Sequence, residues 1–105
     1  MTGPRQVLET VATELARWQT RVTDPKERKQ LAEARERLEK ALAPEQWVDA
    51  THLVAKHRER VLHELKGAAR KLEELAKAKH RQIPDATVQG WIARILKTTR
   101  VLAAA

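Results

Sequence analysis

The 105-residue sequence predicts an all-α protein, an antiparallel bundle of four main helices with a short extra turn before the third. Leu, Ala, Glu, Lys and Arg dominate it, with only three Gly and four Pro, and these abundant residues are strong helix formers. Four stretches repeat apolar residues at spacings of three and four, as amphipathic helices do. The connections are short, which favours antiparallel neighbours, and the length suits one domain over residues 1–105.

The first helix is predicted over about residues 4–22, where five apolar residues share one helical face. These residues are Leu8, Val11, Leu15, Trp18 and Val22. The chain has no Phe or Tyr, so its three tryptophans are the only aromatic residues. Each can bury about 150–250 Å², and all three are therefore expected in the core.

The second helix is predicted to begin after Asp24 and to end near Ala43. Asp24 can cap free backbone amides, Pro25 suits the first helical position, and Glu27 can reach back as in a capping box. Its apolar stripe is Leu31, Ala34, Leu38, Ala41 and Leu42. On the outer face, ion pairs at four-residue spacing are expected for Lys29/Glu33, Glu33/Arg37 and Glu36/Lys40.

The second half of the chain predicts one short turn and two long helices. Pro44 begins the extra turn, and a kink or short loop is expected at about residues 49–53, where Asp49 or Thr51 can cap the helix that follows. The third helix is expected over about residues 53–79 and the fourth over about residues 84–103. Their apolar positions are Val61, Leu65, Ala68, Leu72 and Leu75, then Val88, Trp91, Ile92, Ile95 and Leu102.

The positive charge of the chain is concentrated near its end. The formal net charge is +7, and residues 76–105 hold six Lys or Arg against one Asp or Glu, so they carry five of the seven excess charges. Residues 74–77 followed by 85–92 also resemble a helix-turn-helix unit. The interval from Ala76 to Thr87 is, however, about two residues longer than in the usual unit. This pattern predicts nucleic-acid binding as an alternative function. Its candidate contacts are Lys77, Lys79, Arg81, Gln89, Arg94, Lys97 and Arg100.

The stretch from His63 to Gly67, His-Glu-Leu-Lys-Gly, resembles the histidine phosphotransfer motif. In that family a solvent-facing histidine on a four-helix bundle accepts a phosphoryl group beside a lysine. Helical spacing places His63 and Lys66 on the face away from the apolar stripe. The family usually has a second glycine six residues after the first, where this chain has Glu73. Phosphotransfer is a third hypothesis, and an ordinary solvated helix face explains the same residues.

Other kinds of chemistry have no support in the sequence. The chain has no Cys, and its histidines, at positions 52, 57, 63 and 80, share no metal-binding helical face. It contains no phosphate-binding loop and no nucleophile elbow. No run of about 18 apolar residues is present, so no membrane span is expected. We therefore predict no enzymatic activity, metal, cofactor or small-molecule substrate.

A broader likeness covers about residues 26–104. A Leu-Glu-Lys-Ala-Leu helix at 38–42 precedes Trp-Val-Asp at 47–49, His-Leu at 52–53 and Lys-His at 56–57. This order resembles a helical module of unestablished role, often found near the C-terminus of large secreted or surface bacterial proteins. The family commonly has Asp-Pro where this chain has Val-Ala at 54–55, and it tends to be acidic. The likeness singles out Trp47, Asp49, His52 and Leu53, which we interpret as a structural cluster at the kink.

These observations predict a non-catalytic helical module with a structural or protein-interaction function. The partner is expected to be another protein or a second copy, with nucleic acid as the alternative. Self-association is expected to use the apolar tail, namely Val101, Leu102 and Ala103 to Ala105. The location is expected to be cytoplasmic if Met1 is the natural start, and extracellular if the chain comes from a larger secreted protein.

Overall fold

The computed structural model describes residues 3–104 and confirms the all-α four-helix bundle. Its main helices are α1 (Pro4–Arg21), α2 (Pro25–Leu42), α3 (Arg58–Ala76) and α4 (Asp85–Ala104). The predicted extra turn is a 3₁₀ helix at Pro44–Gln46, and a second one at Ala55–His57 leads into α3. Met1, and Ala105 at the tip of the predicted apolar tail, lie outside the described residues.

Contacts between the helices give their order and direction. α1 packs against α2 and α4, and α3 packs against the same two helices. Glu33 of α2 meets Lys71 of α3, while Arg37, one turn later, meets Glu64, which is earlier in α3. Contacts that advance along one helix and retreat along the other show that α2 and α3 are antiparallel.

One continuous core lies between the four helices, and every residue of the predicted α3 stripe is buried in it. Trp91 is fully buried and Trp47 is 7% exposed, as the sequence predicts. The expectation for Trp18 is wrong. Its ring is only half-buried against the core, and the Arg21 guanidinium lies over it, 5.6 Å from the ring centroid. A ring at the end of a stripe can keep one face toward solvent and a cation.

The structure corrects the predicted start and end of the third helix. α3 begins at Arg58 because Leu53 pairs with Trp47 in an antiparallel bridge and is not helical. The helix ends at Ala76, and the amide of the next residue, Lys77, caps the carbonyls of the last turn. Leu53 is apolar because it packs into the core beside Trp47, and not because it belongs to the apolar stripe of α3.

Two ionic predictions for α2 are also corrected. Asp24 caps the helix as expected, accepting from the Glu27 amide at 3.0 Å. The Glu27 carboxylate does not complete a capping box, since it accepts from the Gln82 amide at 3.0 Å in the α3–α4 turn. Glu33 and Arg37 likewise bridge to α3, and of the three predicted pairs only Glu36 and Lys40 meet, at 3.6 Å. Charged side chains of α2 therefore join neighbouring elements here.

Within residues 3–104, no helix is both long and apolar enough to cross a membrane.

Candidate functional site

Residues 43–57, which we call the connecting segment, join α2 to α3 across one end of the bundle. The Trp47 indole donates from Nε1 to the Ala41 carbonyl oxygen at 2.9 Å, in the last turn of α2. Trp47 and Leu53 are each 7% exposed and form the antiparallel bridge. The Val48 amide donates to the His52 carbonyl oxygen at 2.9 Å, which closes the turn between them. The segment is therefore folded back on itself and anchored in the core.

The polar side chains of this segment bind its own backbone. Asp49 Oδ1 accepts from the amides of Thr51 and His52, both at 2.8 Å. The hydrogen bond from the Thr51 backbone amide, together with the one from the His52 ring, lowers the pKa of the Asp49 carboxyl to about 2. At the other end of the segment, His57 Nδ1 lies 2.6 Å from Gln46 Oε1. Asp49 therefore closes a local turn and caps no helix, which corrects the predicted capping role of Asp49 or Thr51, since α3 begins after His57 without a side-chain cap.

His63 and Lys66 both lie on the exposed face of α3. The glycine that follows them, Gly67, faces the neighbouring helix instead. A methyl group added at Gly67 would lie 3.3 Å from the Arg37 guanidinium carbon, and Arg37 donates from Nη1 to Glu64 at 3.4 Å. The glycine of the phosphotransfer-like stretch therefore makes room for an interhelical ion pair, which accounts for its presence without phosphate chemistry.

The seven residues proposed for nucleic-acid contact do not form one uniform surface. Two of them are engaged within the protein. Arg81 donates to the Ala76 carbonyl oxygen at the end of α3 and, at 2.8 Å, to Asp85 at the start of α4. Arg94 pairs with Glu14 of α1 at 2.9 Å. The other five are exposed, and they are Lys77, Lys79, Gln89, Lys97 and Arg100.

The helix-turn-helix resemblance differs from the observed packing. α1 runs antiparallel to α4, because Glu14 meets Trp91 and Arg94 while the start of α1 meets the end of α4. The Gln82 amide, in the turn between α3 and α4, donates to Glu27 at the start of α2. α3 therefore ends, and α4 begins, at the end of the bundle where α1 ends, so α3 and α4 are antiparallel too. The helices of a helix-turn-helix unit instead cross at about 90–120°. A nucleic-acid hypothesis therefore depends on the surface charge and not on this motif.

Glu14 joins α1 to α4 at the middle of their interface. Trp91 donates from Nε1 to Glu14 Oε1 at 3.0 Å, and Arg94 donates from Nη1 to Oε2 at 2.9 Å. Partial burial would raise the pKa of this carboxyl, but the two hydrogen bonds and the Arg94 charge outweigh it and lower the pKa below its ordinary value. Both carboxylate oxygens are thus occupied, and the interface is closed at this level.

Beyond this closed level, α1 and α4 leave a groove of about 430 Å³ between them. We call it the α1–α4 groove, and its lining residues are Pro4, Val7, Arg94, Lys97, Thr98 and Val101. Val101 is 52% exposed, one of only two large hydrophobic side chains exposed to this extent among residues 3–104. The other is Val48 in the connecting segment, 68% exposed. The groove therefore combines an apolar floor with basic side chains from α4.

Sequence reasoning found only part of this groove. Val101 was singled out with the apolar tail, but its neighbour Leu102 is 2% exposed and belongs to the core, and Ala105 lies outside the described residues. Val7 was missed because it precedes the first core residue, Leu8, by one position and so falls off the apolar stripe. An apolar residue beside a stripe is the signal that was available for it.

Other features of the structure are weaker candidates for a binding site. A larger concavity of about 570 Å³ lies along α1, but all eight residues that line it belong to that single helix, so it has no second wall. Within residues 3–104 no three His, Asp or Glu side chains come together as metal ligands would. A concavity of about 540 Å³ between the start of α2 and the α3–α4 turn is lined only by polar residues. The α1–α4 groove is accordingly the candidate site that lies between two helices and has an apolar floor.

Comparison of the chain with protein-family models, with curated proteins and with solved structures finds no match.

Proposed function

We propose that this protein is a non-catalytic helical module that binds another protein through the α1–α4 groove. The observation that carries the proposal is the groove itself, where Val101 remains 52% exposed beside Pro4 and Val7. Apolar surface gathered in a concave site between two helices is a common feature of protein-binding surfaces. The groove lies on two rigid helices, so its shape is present before a partner binds.

The connecting segment has a structural role in this proposal. Trp47 and Leu53 are buried, and Asp49 accepts a hydrogen bond from the His52 amide, which closes the turn between them. Trp47 donates to the backbone of α2 and Asp49 accepts from the backbone of the turn, whereas the groove exposes side chains to an incoming partner. The predicted likeness to a helical module of secreted or surface bacterial proteins is compatible with such a division, and it stays a prediction.

Site-specific photo-crosslinking in the native cell tests the proposal. A p-benzoylphenylalanine placed at position 101 should give a discrete protein adduct, because the side chain projects into the groove. The control places the same group at position 13, where Thr13 is exposed on the outer face of α1. No adduct at 101, or equal adducts at both positions, would contradict the proposal.

A second candidate function is nucleic-acid binding, favoured by the exposed cations of α3 and α4. Lys66 and Arg70 of α3 and Lys97 and Arg100 of α4 are all exposed, and none forms a salt bridge with a described residue. Unneutralised lysines and arginines on neighbouring helices can contact phosphates without reading bases.

Fluorescence anisotropy with labelled duplex DNA tests this second function. Binding should weaken steeply between about 50 and 200 mM salt, since each phosphate contact releases counterions. A Lys97→Glu/Arg100→Glu variant should weaken it further, whereas Lys26→Glu in α2 should have a smaller effect. Undetectable binding at low salt would exclude this candidate function.

A further inference from the structure

We infer that the partner segment in the α1–α4 groove is an acidic amphipathic helix. This inference depends on the function proposed above and adds the chemistry of the partner. The groove follows α4 from Arg94 to Val101, a distance of about 10 Å along the helix axis. That length accommodates one or two apolar anchors of a helix, because residues i and i+4 are about 6 Å apart.

The apolar floor selects the anchors. Pro4 and Val7 are half-buried on the α1 side, and Val101 is half-exposed on the α4 side. The Thr98 side chain, 5% exposed, also lines the groove on the α4 side. Aliphatic side chains can cover this surface and remove it from water, which is favourable in proportion to the area covered.

The charges around the floor select an acidic partner. Lys97 lines the groove, is exposed, and has no salt-bridge partner among residues 3–104. Arg94 also lines the groove, but Glu14 already neutralises it. The rim therefore presents excess positive charge, and carboxylates flanking the anchors would pair with it.

The same charges disfavour a second copy as the occupant. In a two-fold symmetric dimer the same patch faces itself, so the positively charged rim with Lys97 would meet a second positively charged rim. The chain as a whole carries a net charge of +7, which adds repulsion between copies. An oppositely charged helix from another protein removes this repulsion.

A synthetic peptide provides the test. The probe is a fluorescein-labelled helix of about 15 residues, with leucines at i, i+3, i+4 and i+7 and glutamates on the opposite face. Its matched control carries lysines in place of the glutamates. Fluorescence anisotropy with the full chain should show binding of the acidic peptide at least about tenfold tighter than that of the basic one.

Three variants separate apolar docking from simple charge attraction. Val101→Lys replaces an apolar side chain of the groove floor by a positive charge, and it should weaken binding of the acidic peptide about tenfold or more. Val48→Lys makes the same change at the other exposed valine and should leave the affinity within about twofold. Lys97→Glu should weaken binding, with a larger effect at low salt than at high salt.

Several results would overturn the inference. Equal binding of both peptides would exclude an acidic partner, and unchanged or tighter binding by Val101→Lys would show that charge alone attracts the peptide. A mass corresponding to a dimer in light scattering, lost in Val101→Lys, would assign the groove to a second copy. If position 101 crosslinks to a protein in cells but the acidic peptide does not bind, the partner chemistry is wrong and the proposed function stands.

Discussion

The connecting segment and the α1–α4 groove each contain one of the two large exposed valines of residues 3–104. They differ in whether their other side chains have partners within the protein. In the segment, Trp47 is buried and donates to the end of α2, and Asp49 accepts from two backbone amides. In the groove, Val101 and Lys97 project between two helices with no such partners. A cluster that is conspicuous in sequence can therefore serve the fold, while the surface available to a partner is inconspicuous.

The largest expected effect breaks the segment. Trp47→Ala should lower the free energy of unfolding by about 3–5 kcal/mol, because it leaves a cavity and removes the donor to the Ala41 carbonyl oxygen. Urea unfolding followed by circular dichroism measures it. Trp18→Ala is the matched control, and its effect should be smaller since the Trp18 ring is only half-buried. Equal losses in the two variants would contradict the structural role of the segment.

A smaller effect on stability is expected at Gln46, which directly precedes Trp47 in the connecting segment. Gln46 is 6% exposed, and its side-chain oxygen is the partner of His57. Gln46→Ala should therefore reduce the free energy of unfolding by about 1–2 kcal/mol, from the lost hydrogen bond. Gln89→Ala, at an exposed position of α4, should change it by no more than about 0.5 kcal/mol. If Gln46→Ala has no effect in the same urea experiment, the Gln46–His57 contact does not stabilise the segment.

The pH dependence of the segment is predicted from Asp49. Its folded-state pKa is lowered from 3.8 to about 2, so the charged carboxylate favours the folded state. This contribution is fully present above about pH 4 and is lost as the pH falls through about 2. Carbon-detected NMR titration of the Asp49 carboxyl should show the lowered pKa. An ordinary pKa there would contradict the hydrogen bonding of the turn.

His52 provides a sharper version of that titration. His52→Ala should raise the pKa of Asp49, because the side-chain hydrogen bond is lost while the larger effect of the Thr51 amide remains. The value should therefore stay below 3.8. His80→Ala removes a different exposed histidine, in the α3–α4 turn, and should leave the pKa of Asp49 unchanged.

The smallest effect on stability is expected in the groove. Val101→Lys should change the free energy of unfolding by less than about 0.5 kcal/mol, since the side chain is 52% exposed on a helix surface. Leu102→Ala, at the next position, removes a side chain that is 2% exposed and should lower the free energy by about 2–5 kcal/mol. A large loss in Val101→Lys would show that the groove is needed for folding.

The helices were predictable because each has an apolar stripe of regular spacing, and Asp24 with Pro25 marks a start that the structure reproduces. The start of α3 was not predictable in this way, since Leu53 pairs with Trp47 across a turn and residue spacing does not reveal such a pairing. Side chains that reach another element were also missed. The contact from Glu27 to Gln82 spans 55 residues, and local pairing rules cannot anticipate it.

The candidate site was less predictable for the same reason. A groove between α1 and α4 exists only when residues near opposite ends of the chain are placed side by side, so neither Val7 nor Val101 defines it alone. The residues that sequence reasoning emphasised for nucleic-acid binding included Arg81 and Arg94, which the fold uses for its own contacts. The spacing of residues along one helix indicates which side chains are exposed. It does not indicate which of them meet a side chain or carbonyl group of a neighbouring element.

The most direct test of the division between segment and groove is a two-dimensional ¹H–¹⁵N NMR titration of the protein with the acidic leucine–glutamate peptide. We predict that the amide signals of Val7, Lys97, Thr98 and Val101 shift together, while those of residues 48–52 and the Trp47 indole signal stay in place. Shifts confined to residues 48–52, with the groove signals unchanged, would contradict the account and assign binding to the connecting segment.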